Sequence, residues 1–113
     1  MAGRNKLLTA PPYAVEQAVK KVAHNLRLAR LRRKQTLEEV AEKIGTGVRA
    51  VRDAESGKPS TGVAVYAALL WLYDLLQPFS DLADPLKDQQ GLTLAAAKDN
   101  VRARKGRGLD NDF

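Results

Sequence analysis

Apolar residues recur every three or four positions through most of the chain, and no stretch alternates as a half-buried β-strand does. The longest regular stretch predicts a helix over residues 13–33. The apolar side of this helix consists of Val15, Ala18, Val19, Val22, Leu26 and Ala29. Its opposite side is occupied mainly by charged residues. The pattern therefore predicts an all-α protein.

Two short helices with clear start and stop signals are predicted next. Thr36 and Glu39 form a capping-box pattern, in which each side chain accepts a hydrogen bond from the other residue's backbone amide. Gly45 ends this helix, because glycine adopts the left-handed conformation of a C-cap at little cost. A third helix over residues 48–55 ends at Gly57 in the same way. Two short helices joined by a glycine-containing turn form the helix-turn-helix pattern.

The remaining apolar stretches predict two more helices. Residues 62–73 form a strongly apolar fourth helix, for which Ser60 or Thr61 is a candidate cap. Residues 78–83 form a fifth, because proline suits the first turn of a helix and an Asp-Pro pair follows as a stop. The predicted organisation is a flexible N-terminal arm over 1–12, a five-helix domain over 13–85 and a partly ordered C-terminal extension over 86–113. Within the extension, residues 91–105 are a candidate helix with a disordered end after it.

The chain is basic, and its charge is unevenly distributed. It has 113 residues and a formal net charge of +6. Residues 1–58 contain 13 Lys and Arg against 6 Asp and Glu, whereas residues 59–97 contain one lysine and four aspartates. A cationic half joined to a mildly acidic, apolar half indicates one surface for a polyanion and another for protein contacts. The alternative is a solvated basic surface that binds nothing.

No group of residues in the sequence has the spacing of a catalytic or metal site. The chain has no cysteine and a single histidine, His24, which excludes disulfides and thiolate chemistry. The glycines at 45 and 47 lack the spacing of a phosphate-binding loop. We therefore expect no enzyme, no cofactor and no metal. The longest apolar run, residues 63–73, is too short to span a bilayer, and no signal peptide is recognisable, so a cytoplasmic protein without membrane contact is expected.

Over residues 25–76 the chain resembles the helix-turn-helix regulators of the phage-repressor or XRE type. The resemblance rests on LRLARLRRKQTLEEVAEKIGTGVRAVRDAESGKPS, and especially on the spacing of Ala41, Gly45, Val51, Glu55 and Gly57. In that family the third helix of the domain enters the major groove of DNA. The resemblance thus implies a set of base-reading residues: Val48, Arg49, Arg52 and Asp53.

Three residues depart from the family pattern. Leu37 stands where a glutamine often touches the DNA backbone, Gly47 stands where serine or threonine usually caps the reading helix, and Val48 replaces a frequently polar reader. Arg49 and Arg52 are therefore expected to carry most of the recognition, since arginine makes bidentate hydrogen bonds with guanine. A solvated charged face is the alternative for both arginines.

The resemblance also implies phosphate contacts and one structural ion pair. The residues expected at the DNA backbone are Lys34, Thr36, Thr46, Gly47, Lys58, Ser60 and Thr61. In the register of the family, Arg30 and Glu55 form a largely buried ion pair that clamps the motif. A phosphate contact is the alternative role for Arg30.

The fourth and fifth predicted helices contain more apolar and aromatic surface than a small core requires, which indicates a homodimer. The residues expected in the dimer interface are Tyr66, Leu70, Trp71, Tyr73 and Phe79. An ordinary core of a five-helix monomer is the alternative.

A narrower resemblance rests on LLTAPPYAVEQAV, GKPSTGVAVYAALLWLYDLL, DLADP and the basic tail, a layout similar to that of the HipB-type antitoxins. It implies a repressor of its own operon that binds operator DNA and neutralises a HipA-type serine/threonine kinase toxin. Three residues of the tail are candidate contacts with such a partner, unless the end is simply disordered: Asp110, Asp112 and Phe113. The alternative function is a stand-alone phage or host transcriptional regulator of the XRE type.

Overall fold

The computed structural model describes residues 5–106, and every regular element in that range is helical. Its seven α-helices are α1 (Lys6–Thr9), α2 (Tyr13–Arg32), α3 (Leu37–Ile44), α4 (Val48–Ser56), α5 (Val63–Leu72), α6 (Leu76–Ser80) and α7 (Gln89–Gly106). A 3-10 helix lies at Pro85–Lys87. The predicted all-α class is confirmed for these residues. None of their helices is long and apolar enough to cross a membrane.

The ends of α3 and α4 lie within one residue of their predicted positions. The Thr36 hydroxyl accepts a hydrogen bond from the Glu39 amide at 3.0 Å, and the Glu39 carboxylate accepts one from the Thr36 amide at 2.7 Å. Gly45 ends α3 with a φ of +79°, and Gly57 ends α4 with a φ of +75°. Only residues 45–47 separate the two helices. Local sequence signals therefore define this pair of helices.

The helices up to Ser80 form one compact unit, and the described residues 81–106 belong to a second. The core of the first unit lies between α2, α3, α4 and α5 and consists of Leu26, Ala29, Val40, Ala41, Val51, Ala54, Leu69 and Tyr73. Two of these residues, Val51 and Ala54, belong to α4 and are 0% exposed. Burying a valine side chain stabilises the fold by about 1.5–3 kcal/mol. The inner face of α4 therefore holds this helix in place, and its outer face lies at the surface.

Two helix starts differ from the prediction. α6 begins at Leu76, two residues before the predicted start, so that Pro78 is its third residue. Proline is tolerated there because the first amides of a helix have no acceptor within it. The N-cap of α5 is Gly62, and no side chain caps this helix, so neither Ser60 nor Thr61 has the predicted capping role.

Both terminal segments contain helices. The predicted flexible arm includes α1, where the Asn5 side chain accepts a hydrogen bond from the Leu7 amide at 2.9 Å. In the second unit, the Asp88 carboxylate accepts a hydrogen bond from the Gly91 amide at 2.9 Å in the first turn of α7, which covers the predicted helix of the extension. The predicted disordered end and three candidate partner contacts lie outside the described residues: Asp110, Asp112 and Phe113.

Candidate nucleic-acid interface

The outer face of α4 presents two arginines to solvent. Arg49 and Arg52 are three residues apart, so they lie on the same side of the helix, with about 5–6 Å between their Cβ atoms. Both are exposed, and neither forms a hydrogen bond or ion pair with another described residue. The two guanidinium groups therefore keep all of their donors available, on a helix whose opposite face is anchored by Val51 and Ala54.

The other two predicted base readers have partners within the protein. Val48 is half-buried and packs against the core cluster. The Asp53 carboxylate lies 3.8 Å from the Lys58 ammonium group, and the Asp53 carbonyl accepts a hydrogen bond from the Lys58 amide at 3.1 Å. A residue predicted to read bases and one predicted to contact phosphate thus pair with each other. This pair is partly solvent-exposed and therefore contributes little stability.

The turn between α3 and α4 contains two further predicted DNA contacts. Thr46 is half-buried, and its amide donates to the Ala41 carbonyl at 3.0 Å. Gly47 is the N-cap of α4 and supplies no side-chain hydrogen bond. Amides in the first turn of a helix attract anions when no side chain caps them. The start of α4, which contains no acidic residue in its first turn, is thus electrostatically suited to a phosphate.

The remaining predicted backbone contacts differ in accessibility. Lys34 and Ser60 are exposed. The Thr36 hydroxyl serves as the cap of α3 but lies at the surface. The Thr61 hydroxyl is buried and has no hydrogen-bond partner within the described residues, so it does not reach a phosphate in this conformation.

The opposite end of α4 is attached to α2 by an ion pair. Arg30 is 8% exposed, and its Nε and Nη2 atoms donate to the two carboxylate oxygens of Glu55 at 2.7 and 2.9 Å. Its Nη1 atom donates to the Gln35 carbonyl at 2.9 Å. The hydrogen bond to Glu55 raises the pKa of Arg30 above its usual value. This one guanidinium therefore joins α2, the segment before α3 and the end of α4.

A second arginine contact has no counterpart in the sequence analysis. Arg33 donates to the Ala29 carbonyl at 2.9 Å and to the Tyr73 carbonyl at 3.0 Å, and its guanidinium carbon lies 5.1 Å from the centre of the Tyr73 ring. The helical pattern over residues 13–33 predicts a charged side of the helix but no contact for Arg33. No local signal points to a partner 40 residues away.

The predicted interface residues separate into buried and accessible ones. Tyr73 is 1% exposed and belongs to the core of the monomer, so its assignment to a dimer interface is wrong. Its burial raises the pKa of the phenol, and the negative charge of Glu55 adds to this effect. Trp71 is 61% exposed. Partial exposure is seen at the remaining three: Tyr66, Leu70 and Phe79.

Within residues 5–106, no three or more His, Asp or Glu side chains are placed to hold a metal ion. No family model matches the chain, and no curated protein or solved structure matches it either. The geometry of α3, α4 and their surroundings is therefore the basis for assigning a function.

Proposed function

We propose that this protein is a sequence-specific DNA-binding transcriptional repressor of the cytoplasm, and not an enzyme. In this proposal α3 and α4 form the helix-turn-helix of a five-helix, phage-repressor-like domain, and α4 is the reading helix. The observation that carries the proposal is the pair of unpartnered arginines, Arg49 and Arg52, on the outer face of a helix whose inner face is fully buried.

The dimensions and charges of α4 agree with this role. Its nine residues span about 13 Å, and the major groove is about 12 Å wide and accepts an α-helix. Arg49 and Arg52 would donate to guanine O6 and N7. The uncapped amides after Gly47 would meet a phosphate, as would the exposed side chains of Lys34 and Ser60. Lys58 would do so after leaving Asp53, whose carboxylate could then accept from a cytosine amino group.

The repressor would act as a homodimer on a palindromic operator, because one short helix reads too few base pairs for specificity. Two copies place their reading helices about one turn of DNA apart, roughly 34–36 Å. Of the residues expected in the interface, Trp71 offers the largest accessible surface. The dimer would therefore form through α5, with α6 beside it.

We further propose that the protein is the antitoxin of a HipBA-like operon and binds a HipA-type kinase. The supporting observation is α7, whose apolar side chains Leu92, Leu94 and Val101 are 49%, 62% and 51% exposed. These side chains have no role in DNA binding by α4, whereas a protein partner would cover their apolar surface. A stand-alone XRE-type regulator is the second candidate. It is favoured because α4 has its buried inner face and its two available arginines without any partner protein.

The DNA proposal is tested by selecting duplexes from a random library and measuring affinity for the enriched sequence. Arg49→Ala should lose about 1–3 kcal/mol of specific affinity and relax the preference at one base pair per half-site. Arg27→Ala is the matched control, since it removes an exposed positive charge from α2. Binding should weaken steeply with salt, because phosphate contacts release counterions. Equal losses in both variants would disprove the assigned reading face.

The kinase proposal is tested by co-expression with a HipA-type kinase encoded beside this protein. The full chain should restore growth and co-purify with the kinase. A Leu92→Ser/Leu94→Ser variant should no longer co-purify with the kinase but should still bind the selected duplex. If cells that make the kinase stop growing although the wild-type protein is present and binds DNA, the antitoxin proposal is disproved and the stand-alone regulator is the remaining candidate.

A further inference from the structure

One surface hydroxyl of the chain is preceded by a run of basic residues. Of the eight serines and threonines in the sequence, Thr36 alone has more than one lysine or arginine among the four residues before it. The segment RRKQT ends at this threonine and places Arg32, Arg33 and Lys34 before it. Serine/threonine kinases distinguish their substrates by such charge patterns. The repressor proposed above uses only Lys34 from this run.

The fold leaves Thr36 and two of the three cations accessible to an enzyme. Residues 33–36 lie between α2 and α3, and Thr36 is exposed with an extended backbone, at a φ of −87° and a ψ of 164°. Arg32 and Lys34 are also exposed, whereas the Arg33 guanidinium is held within the protein by two carbonyls. Arg32 and Lys34 thus remain available to an acidic substrate cleft, next to a hydroxyl that lies outside the helices.

The Thr36 hydroxyl keeps both its proton and a lone pair for chemistry. Its oxygen accepts a hydrogen bond from the Glu39 amide at 3.0 Å, and no described residue accepts its proton. A threonine hydroxyl has one proton and two lone pairs. One lone pair therefore remains for attack on an electrophile while the cap of α3 stays in place.

We infer that Thr36 is a phosphorylation site for a serine/threonine kinase with an acidic substrate cleft. In the transfer, the Thr36 oxygen forms a bond to the γ-phosphorus of ATP, and the bond between that phosphorus and the ADP oxygen breaks. ADP leaves, and the hydroxyl proton passes to the catalytic carboxylate of the kinase. The product is phosphothreonine at the N-cap of α3.

The new charge would oppose DNA binding, a consequence that rests on the proposed repressor. Phosphothreonine carries a charge of about −1.5 to −2 at pH 7. Lys34, two residues earlier, would pair with it and no longer be available to a DNA phosphate. The first turn of α3 contains Glu38 and Glu39 and no cation, so the rest of the negative charge stays uncompensated there and repels the DNA backbone. Phosphorylation is thus expected to release the operator.

The first test measures transfer to the full chain without DNA. A purified serine/threonine kinase that selects arginine before its target is supplied with ATP, and peptide mass spectrometry locates the phosphate. Thr36 should be the main site. The variant Arg32→Gln/Lys34→Asn should be modified at least about tenfold more slowly, and asparagine tolerates the positive φ of residue 34. Arg27→Gln/Lys43→Gln is the matched control, because it removes two exposed cations elsewhere and should leave the rate unchanged.

A pair of variants tests the effect of the charge on DNA binding. Aspartate and asparagine are similarly good N-caps, so Thr36→Asp and Thr36→Asn should melt at similar temperatures while differing by one charge. Thr36→Asp should bind the selected duplex about threefold to tenfold more weakly than Thr36→Asn. The phosphorylated wild-type chain should bind at least about tenfold more weakly than the unmodified chain. Both differences should shrink as salt is added.

Transfer to other hydroxyls but not to Thr36 would overturn the inference, and so would equal rates for the two double variants. Equal duplex affinities of Thr36→Asp and Thr36→Asn would overturn its consequence for DNA, as would full affinity of the phosphorylated chain. If the unmodified chain selects no duplex, the repressor proposal fails, whereas the transfer measurement still decides whether Thr36 is a phosphorylation site.

Discussion

The two ends of α4 differ in how tightly they are attached to the rest of the protein. At its C-terminal end, Glu55 forms a bidentate ion pair with Arg30, and Gly57 packs directly on α2. At its N-terminal end, Gly47 has nothing within 4 Å of where a Cβ would lie, and Arg49 is exposed. The C-terminal end of the helix is fixed by an ion pair and by close packing on α2, whereas at the N-terminal end the space around Gly47 and the Arg49 side chain is open to solvent.

This difference shows how a small domain can hold a helix rigidly at one end and still leave side chains at its other end accessible to a ligand. A side chain that contacts a ligand must be positioned accurately by its support, and a donor that is already used within the protein is not available to that ligand. Arg30 uses three of its donors inside the protein. Arg49 donates no hydrogen bond to another described residue. The same side-chain type thus serves as a structural clamp at one end of α4 and as a candidate reader at the other.

The largest effect is expected at the clamped end. Arg30→Ala leaves the Glu55 carboxylate, whose side chain is 6% exposed, without its charged partner. Removing one member of a buried ion pair costs about 3–5 kcal/mol. Urea denaturation should show this loss, and Arg49→Ala, the matched control at the open end, should stay within about 0.5 kcal/mol of wild type. Equal stability of both variants would show that the clamp does not hold α4.

Local features of this architecture were predictable from the residues themselves, whereas the one long-range contact that was predicted, the ion pair of Arg30 and Glu55, came only from the family resemblance. The capping box of Thr36 and Glu39 and the stop at Gly57 depend on residues a few positions apart, so the pattern locates them. The contact between Arg33 and Tyr73 spans 40 residues, and nothing in the chain near either residue encodes it. The fold class and the limits of the candidate reading helix could therefore be predicted, whereas the contact between Arg33 and Tyr73 could not.

The misassigned tyrosine illustrates a second physical limit. Tyr73 and Trp71 are two residues apart at the end of a helix that is apolar on all sides. An amphipathic helix reveals its inner face by its polar residues, and α5 has too few to do so. Only the structure shows that Tyr73 faces inward beside Leu69 and that Trp71 faces outward.

Gly57→Ala should produce the next largest effect. A Cβ at this position would lie 3.2 Å from Lys20 Cγ and 3.3 Å from Lys20 Cα, at a φ of +75°. The left-handed conformation alone costs about 1–2 kcal/mol for a residue with a side chain, and the contact with α2 backbone adds to it. Gly45→Ala is the matched control, because its φ is +79° but nothing lies within 4 Å. Denaturation midpoints should therefore fall further for Gly57→Ala than for Gly45→Ala. Equal losses would mean that α2 moves away from the added Cβ at no cost in stability.

The smallest effect, and one of opposite sign, is expected from Gly47→Ser at the open end. Gly47 has φ and ψ of −82° and 158°, which any residue adopts, and free space around its Cα. A serine hydroxyl there would accept a hydrogen bond from the first turn of α4 and stabilise the fold by a few tenths of a kcal/mol. The same hydroxyl would occupy amides that we propose for a phosphate, so DNA affinity should not rise with stability. Calorimetric melting and affinity for the selected duplex measure the two quantities separately. If Gly47→Ser lowers the melting temperature, then the first amides of α4 have no room for a capping side chain. The N-terminal end of α4 would then not be accessible in the way proposed here.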